Sequence, residues 1–134
     1  MDTSELARAK YVRLTTFRRD GTAVTCPVWL APVGGAYAFT TDLTSGKVKR
    51  LRHDERVEVS VSDARGRVAG GARVYAGKGR VVTGDEADRA QRAILAKYRV
   101  LGRLLTWSAR LARAVRRRAP DERGAVEVRL TATR

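Results

Sequence analysis

The chain has 134 residues, 43% of them hydrophobic and 31% charged, which predicts a single globular domain and excludes intrinsic disorder. It carries 28 lysines and arginines against 14 acidic residues, and the net charge of +14 is compatible with nucleic acid, an anionic membrane surface or a phosphorylated small molecule as partner. A single cysteine excludes a disulfide scaffold, and no apolar run approaches the roughly 18 residues of a transmembrane helix. The N-terminus lacks the apolar stretch of a signal peptide, so we expect a cytoplasmic protein.

Apolar and β-branched residues in the first part of the chain predict three strands, at residues 10–17, 22–31 and 36–41. Asp20-Gly21 and Gly34-Gly35 lie between them, and such pairs tolerate the backbone of a tight hairpin turn. Pro27 cannot donate a hydrogen bond to a neighbouring strand. We therefore expect the second strand to have an edge or a bulge at this position.

The hydrophobic period then becomes helical. Ser45 is a typical helix N-cap, and residues 45–53 are predicted to form a short helix. A basic helical segment is predicted at about 84–118, beginning with several acidic residues that suit the positive end of a helix dipole. Strand alternation predicts three further strands, at residues 56–63, 72–82 and 125–132. Gly77 and Gly79 indicate a bulge in the strand predicted at residues 72–82.

Six strands, mostly joined by hairpins, predict a mainly β fold with added helices. The alternatives are an antiparallel barrel or a sandwich. No linker or internal repeat divides the chain, so residues 1–134 are predicted to form one domain.

Side chains suited to catalysis are scarce. The chain has one histidine, His53, and one cysteine, Cys26, so a nucleophilic site of the Ser-His-Asp or Cys-His type would need these single residues in the right geometry. No cysteine and histidine cluster has zinc spacing. We therefore predict no catalytic side chain and no metal site, and we expect that any reaction depends on a bound cofactor.

The segment from residue 40 to residue 54, TTDLTSGKVKRLRHD, carries the most chemical information. It places two threonines at a strand end and Ser45, Gly46 and Lys47 at a helix start. Backbone N–H groups at a helix N-terminus, together with a hydroxyl and an ammonium, suit a phosphate group. The alternative is an ordinary capped helix with a solvated basic face.

The chain resembles the split β-barrel flavin and deazaflavin oxidoreductases in three stretches: YVRLTTFRRDGTAVTCPVWLA, AYAFTT and SGKVKRLRHDERVEVSVSDARGR. The most similar branch is the F420-dependent one of the PPOX class, and pyridoxamine 5'-phosphate oxidases are more distant. The resemblance covers most of residues 8–100 and the last strand. It implies a six-stranded antiparallel split β-barrel of the FMN-binding type, and a homodimer with the cofactor in a groove at the interface.

The resemblance also implies the residues that bind the cofactor. The ring system would lie along the second strand at Pro27, Val28 and Trp29. The phosphate would lie after the third strand, at residues Thr40, Thr41, Ser45, Gly46 and Lys47. Related flavin oxidases often have an arginine before the phosphate-binding lysine, and this chain has Gly46 there, which favours coenzyme F420 over FMN.

These resemblances imply an oxidoreductase in which reduced F420 donates a hydride to an electron-poor small-molecule substrate, with FMN as the alternative cofactor. A second class of function stays open: a non-enzymatic split-barrel protein that binds a flavin-like ligand or an acidic surface.

Seven arginines without an acidic residue among them lie between Arg99 and Arg118, on a predicted amphipathic helix. This helix has three interpretations: a solvated basic face, attraction of an acidic cofactor tail, or contact with anionic lipid, which would make the protein membrane-associated. Nucleic acid is the least favoured partner, because no recognition motif accompanies the arginines.

Overall fold

The computed structural model describes residues 2–102 and 123–133. Within these residues the chain forms seven strands and three helices. In chain order they are α1 (Ser4–Arg8), β1 (Tyr11–Phe17), β2 (Ala23–Val28), β3 (Ala31–Val33), β4 (Ala36–Asp42), α2 (Gly46–His53), β5 (Arg56–Ser62), β6 (Tyr75–Val82), α3 (Gly84–Gly102) and β7 (Arg123–Thr133).

The strands form one antiparallel sheet in the order β2-β1-β5-β6-β7-β4-β3. The strands at its two edges, β2 and β3, follow each other in the chain and are separated only by Trp29 and Leu30. The sheet must therefore curl until its edges approach, which makes it a split barrel. The predicted mainly β, antiparallel split-barrel fold is confirmed, and Pro27 lies on an edge strand as its missing N–H requires.

The predicted second strand, residues 22–31, is two strands in the structure. It is interrupted at Trp29 and Leu30, so the sheet has seven strands where the sequence predicted six. The interruption has a tertiary cause: the indole of Trp29 stacks on Tyr98 of α3, and the carbonyl of Leu30 accepts a hydrogen bond from the Lys97 ammonium of the same helix. These contacts replace strand pairing at this corner.

The barrel interior holds one apolar cluster whose members come from six of the strands, α2 and α1. Most of its side chains are fully buried, and the largest are Leu6, Val12, Leu14, Leu30, Phe39, Val57, Val59, Tyr75, Val126 and Val128. Leu6 belongs to α1, a short helix that the sequence did not predict. The Tyr75 hydroxyl donates to Glu5 Oε1 at 2.7 Å, which fixes α1 to β6.

Helix α3 packs on the outside of the barrel. Its small residues Ala87 and Ala90 contact β4, β6 and β7, and further along the helix Ile94 and Tyr98 contact Ala31 and Trp29. The predicted helix start near residue 84 is confirmed. The predicted helical segment from residue 103 to Arg118 lies outside the described residues. No helix within residues 2–102 and 123–133 is long and apolar enough to cross a membrane.

The predicted bulge in β6 is present. The pairing of β6 with β7 shifts register between Ala76 and Gly77. A Cβ atom on Gly77 would overlap the carbonyl oxygen of Arg129 on β7, so this close approach of two backbones requires a glycine.

Candidate ligand-binding groove

A groove with a volume of about 280 Å³ opens where β1, β2, β4, α2 and α3 meet. Its lining residues are Tyr11, Pro27, Val28, Trp29, Thr40, Lys47 and Ile94. The structure thus brings together five of the eight residues that the sequence predicted to bind a cofactor. Those five are Pro27, Val28, Trp29, Thr40 and Lys47.

Strand register explains why residues distant in the chain share this groove. The hairpin of β1 and β2 pairs Val12 with Val28, so Tyr11 lies beside the segment that leads from Val28 to Trp29. Thr40 is near the end of β4, and the helix that carries Lys47 starts four residues beyond that strand. Among the described strands, β2 pairs only with β1, and β1 and β4 supply the neighbouring walls of the groove.

The aromatic part of the lining consists of Trp29 and Tyr11. The ring centroids of Trp29 and Tyr98 are 4.6 Å apart and nearly parallel, at 18°, whereas the Trp29 and Tyr11 rings are 6.5 Å apart and tilted by 58°. The Tyr98 hydroxyl donates to the carbonyl oxygen of Lys10 at 2.7 Å. Burial raises the pKa of Tyr98, so this hydroxyl stays a neutral donor throughout the physiological pH range.

Lys97 supports the same corner from α3. Its ammonium donates to the carbonyl of Leu30 and to the carbonyl of Leu6, the latter at 3.1 Å. It thereby connects α1, the corner between β2 and β3, and α3. Burial lowers the pKa of Lys97 to about 8, because the charged form loses solvation there.

At the start of α2, the predicted residues Ser45 and Thr41 do not line the groove: Ser45 caps the helix, and Thr41 contacts Ser45. The Ser45 hydroxyl accepts a hydrogen bond from the Val48 N–H at 3.4 Å, and it lies 3.0 Å from the hydroxyl of Thr41, which is buried. The predicted N-cap at Ser45 is confirmed. The hydroxyls of Thr41 and Ser45 thus hold the end of β4 against the first turn that carries Lys47.

Gly46 makes room for an arginine from the next turn of its own helix. A Cβ atom at residue 46 would lie 2.9 Å from Nη1 of Arg50, so the guanidinium lies over the helix start. Arg50 is held there by a hydrogen bond from its Nε to Thr16 Oγ1 at 2.7 Å. The guanidinium of Arg50 thus lies at the turn that begins with Gly46.

The start of α2 is electropositive. Its first turn contains Lys47 and no acidic residue, and the helix also carries Lys49, Arg50 and Arg52. A cation in the first turn opposes the helix dipole, whose N-terminal end is itself positive. A bound anion would relieve this repulsion, which is the electrostatic condition for a phosphate site.

The single histidine and the single cysteine do not line the groove. His53 is the exposed last residue of α2, and Cys26 is half-buried in β2. Among residues 2–102 and 123–133, no group of histidine, cysteine and acidic side chains could hold a metal ion. The described residues that line the groove include hydroxyl, ammonium and aromatic groups suited to binding a ligand.

Three residues of this region were not predicted as site residues: Tyr11, Ile94 and Arg50. Tyr11 could have been found from the register that the Asp-Gly turn imposes on the first hairpin. Arg50 belongs to the basic cluster of residues 47–52, but the sequence does not show which of these cations reaches the helix start. Ile94 has no such signal, because its position depends on how α3 packs on the barrel.

Comparison with known proteins gives a consistent picture. The family model described as pyridoxamine 5'-phosphate oxidase matches residues 3–132. No curated protein matches the chain. Among solved structures, an F420 reductase is 20% identical, with a TM-score of 0.66 and coverage of 100% of this chain and 97% of that one.

Two further solved structures have similar folds. A conserved hypothetical protein from Mycobacterium tuberculosis is 21% identical, with a TM-score of 0.68 and coverage of 100% of this chain and 83% of that one. The heme storage protein HutZ from Vibrio cholerae is 11% identical, with a TM-score of 0.63 and coverage of 98% and 89%. At these identities the likenesses establish the fold alone.

Proposed function

The chain belongs to the pyridoxamine 5'-phosphate oxidase family, and on that premise we propose that it is an oxidoreductase that uses coenzyme F420. The observation that carries the proposal is the composition of the groove: the aromatic rings of Tyr11 and Trp29, the edge of β2, and the ammonium of Lys47 line one space. Such a surface fits a ligand that combines a planar ring system with a phosphate.

The phosphate assignment rests on charge. Lys47 lines the groove in the first turn of α2, and the guanidinium of Arg50 lies over Gly46 in that same turn. Ammonium and guanidinium donors make charge-assisted hydrogen bonds to phosphate oxygens, and the N–H groups of the helix start add further donors. Both F420 and FMN carry a phosphate, so this part of the groove fits either cofactor.

The size of the groove supports the proposal that a second copy of the chain completes the site. Its volume, about 280 Å³, lies just below the roughly 300–1,000 Å³ typical of small-molecule sites. The described residues of one chain would therefore enclose only part of a cofactor. A homodimer in which the second copy covers the exposed side would complete the site.

The chain's own residues would bind and orient, and would do little acid–base chemistry. Lys47 and Arg50 would hold the phosphate, while Tyr11, Trp29 and Ile94 would exclude water from the ring. When bound, reduced F420 supplies a hydride for transfer to an electron-poor organic substrate. The contribution of the protein to the rate would then be proximity and orientation, in keeping with the absence of His53 and Cys26 from the lining.

Titration of the purified chain with F420 and, separately, with FMN tests this proposal, with binding followed by cofactor fluorescence. We expect F420 to bind and Lys47→Ala to weaken it about 10- to 100-fold, because a hydrogen bond to a charged group contributes about 1.5–3 kcal/mol. Lys49→Ala, which removes the same charge from an exposed position of the same helix, is the matched control and should change the dissociation constant less than about twofold.

The other outcomes discriminate between the alternatives. Binding of FMN without F420 would overturn the choice of cofactor. Equal effects of Lys47→Ala and Lys49→Ala would overturn the phosphate assignment. Binding of neither cofactor, with salt-sensitive binding to anionic lipid vesicles, would favour the non-enzymatic, acidic-surface alternative.

A further inference from the structure

The two aromatic residues of the groove are each held by a hydrogen bond from α3 to an adjacent carbonyl group. Tyr98 donates through its hydroxyl to the carbonyl of Lys10, directly before Tyr11, at 2.7 Å. Lys97 donates to the carbonyl of Leu30, directly after Trp29. The backbone on which each ring stands is therefore tied to consecutive residues of one helix.

Tyr98 also holds the indole itself. It is stacked on Trp29 with a centroid distance of 4.6 Å and an interplanar angle of 18°. Tyr98 is 5% exposed and does not line the groove, so it would act on a ligand through the groove residues that it contacts or holds, of which Trp29 is stacked directly on it. A buried tyrosine needs an acceptor for its hydroxyl, and the Lys10 carbonyl supplies one, which fixes the plane of the ring on which the indole rests.

We propose that Tyr98 is a positioning residue of the groove: it sets the orientation of Trp29 relative to Tyr11, and thereby the affinity of the groove for a planar ring. Without this stack, the Trp29 side chain would lose the packed ring that restricts the plane of its indole. Fixing the indole in one orientation when the ligand binds would then lower the affinity, because immobilising a side chain on association costs conformational free energy. The effect on ligand affinity rests on the proposed cofactor function, whereas the orientation of Trp29 does not.

Two measurements on the full chain separate these parts. The chain contains two tryptophans, so all variants carry Trp107→Phe and report on Trp29 alone. Acrylamide quenching of Trp29 fluorescence measures the exposure of the indole without any ligand. Titration with F420 and FMN at a temperature well below unfolding measures affinity.

Three substitutions are compared. Tyr98→Leu removes the ring, and Tyr98→Phe keeps the ring but removes the hydrogen bond to Lys10. Tyr75→Phe is the matched control, because it removes the hydroxyl of another buried tyrosine, bonded to Glu5 and outside the groove. All three should lower the unfolding temperature, so a loss of stability alone does not show whether Tyr98 orients Trp29.

We expect Tyr98→Leu to raise the quenching constant of Trp29 about twofold or more, since the indole loses its stacked neighbour, and to weaken cofactor binding about five- to tenfold. Tyr98→Phe should lie between this variant and the parent chain, and Tyr75→Phe should change neither quantity. An unchanged quenching constant in Tyr98→Leu would overturn the proposal, as would an equal change in Tyr75→Phe. If neither cofactor binds the parent chain, the proposed function fails, and the quenching result still decides whether Tyr98 positions Trp29.

Discussion

Raising the pH from 7.5 to 9.5 should increase the free energy of unfolding through Lys97. Burial lowers the pKa of this lysine from 10.5 to about 8 in the folded chain. Between these two values the unfolded chain binds more protons than the folded chain, so the stability rises with pH. Below pH 8 both states are protonated, and the contribution of Lys97 no longer changes.

The magnitude follows from the shift. At 1.36 kcal/mol per pKa unit, the lowered pKa corresponds to at most about 3 kcal/mol when both states have lost the proton. Part of the Lys97 side chain still contacts solvent, and pH 9.5 lies below the unfolded pKa. We therefore expect an increase of about 1 kcal/mol over this range.

Urea titrations of the parent chain and of Lys97→Met at several pH values between 7.5 and 9.5 measure this difference. Subtracting the two curves removes the contribution of other groups, such as Tyr98 and Tyr75, whose pKa values are raised by burial. Lys49→Met, at an exposed position, should retain the rise. The same pH dependence in the parent chain and in Lys97→Met would refute the reasoning.

Three substitutions test the packing of the fold. Leu6→Ala should lower the free energy of unfolding in urea by about 2–5 kcal/mol, because Leu6 is fully buried in the barrel core. A loss below about 1 kcal/mol would mean that Leu6 does not fill the barrel core. Gly77→Ala should cost about 1–3 kcal/mol in the same assay, because its Cβ would overlap the Arg129 carbonyl; a neutral effect would contradict the close pairing of β6 and β7. Gly46→Ala should be neutral or stabilising by up to about 1 kcal/mol in thermal unfolding, since its Cβ would meet only the flexible end of Arg50; a marked loss would show that Arg50 cannot move.

Local sequence signals predicted most of the sheet and the helix that carries Lys47. Alternation in RVEVSVS and the N-cap at Ser45 depend on neighbouring residues only, and both elements form where they were predicted. The Asp-Gly turn likewise determined the register of the first hairpin.

The interruption at Trp29 and Leu30 could not be predicted in this way. It depends on Lys97, which is 67 residues from its acceptor Leu30, and on the stacking of Tyr98. Helix α1 was missed for a related reason: five residues carry little periodicity, and Leu6 is held by the barrel core that it enters.

The groove residues likewise divide into those that short segments of sequence predicted and those that tertiary packing adds. Pro27, Val28, Trp29, Thr40 and Lys47 were predicted because they lie in two short segments that carry the resemblance to the split-barrel oxidoreductases, and the groove brings them together. Residues contributed by other elements were missed, because their proximity follows from tertiary packing. Ile94 of α3 is such a residue. Arg50 lies in the same helix as Lys47, but its guanidinium lies over the helix start because residue 46 has no side chain.

The central claim is that this groove holds F420 with its phosphate at the start of α2 and its ring at the aromatic lining. A crystal structure of the chain with F420 tests it most directly. The account predicts the phosphate within hydrogen-bonding distance of Lys47 Nζ and the ring against Trp29, along β2. A phosphate bound elsewhere, or a ring outside the groove formed by Tyr11, Trp29 and Ile94, would contradict it.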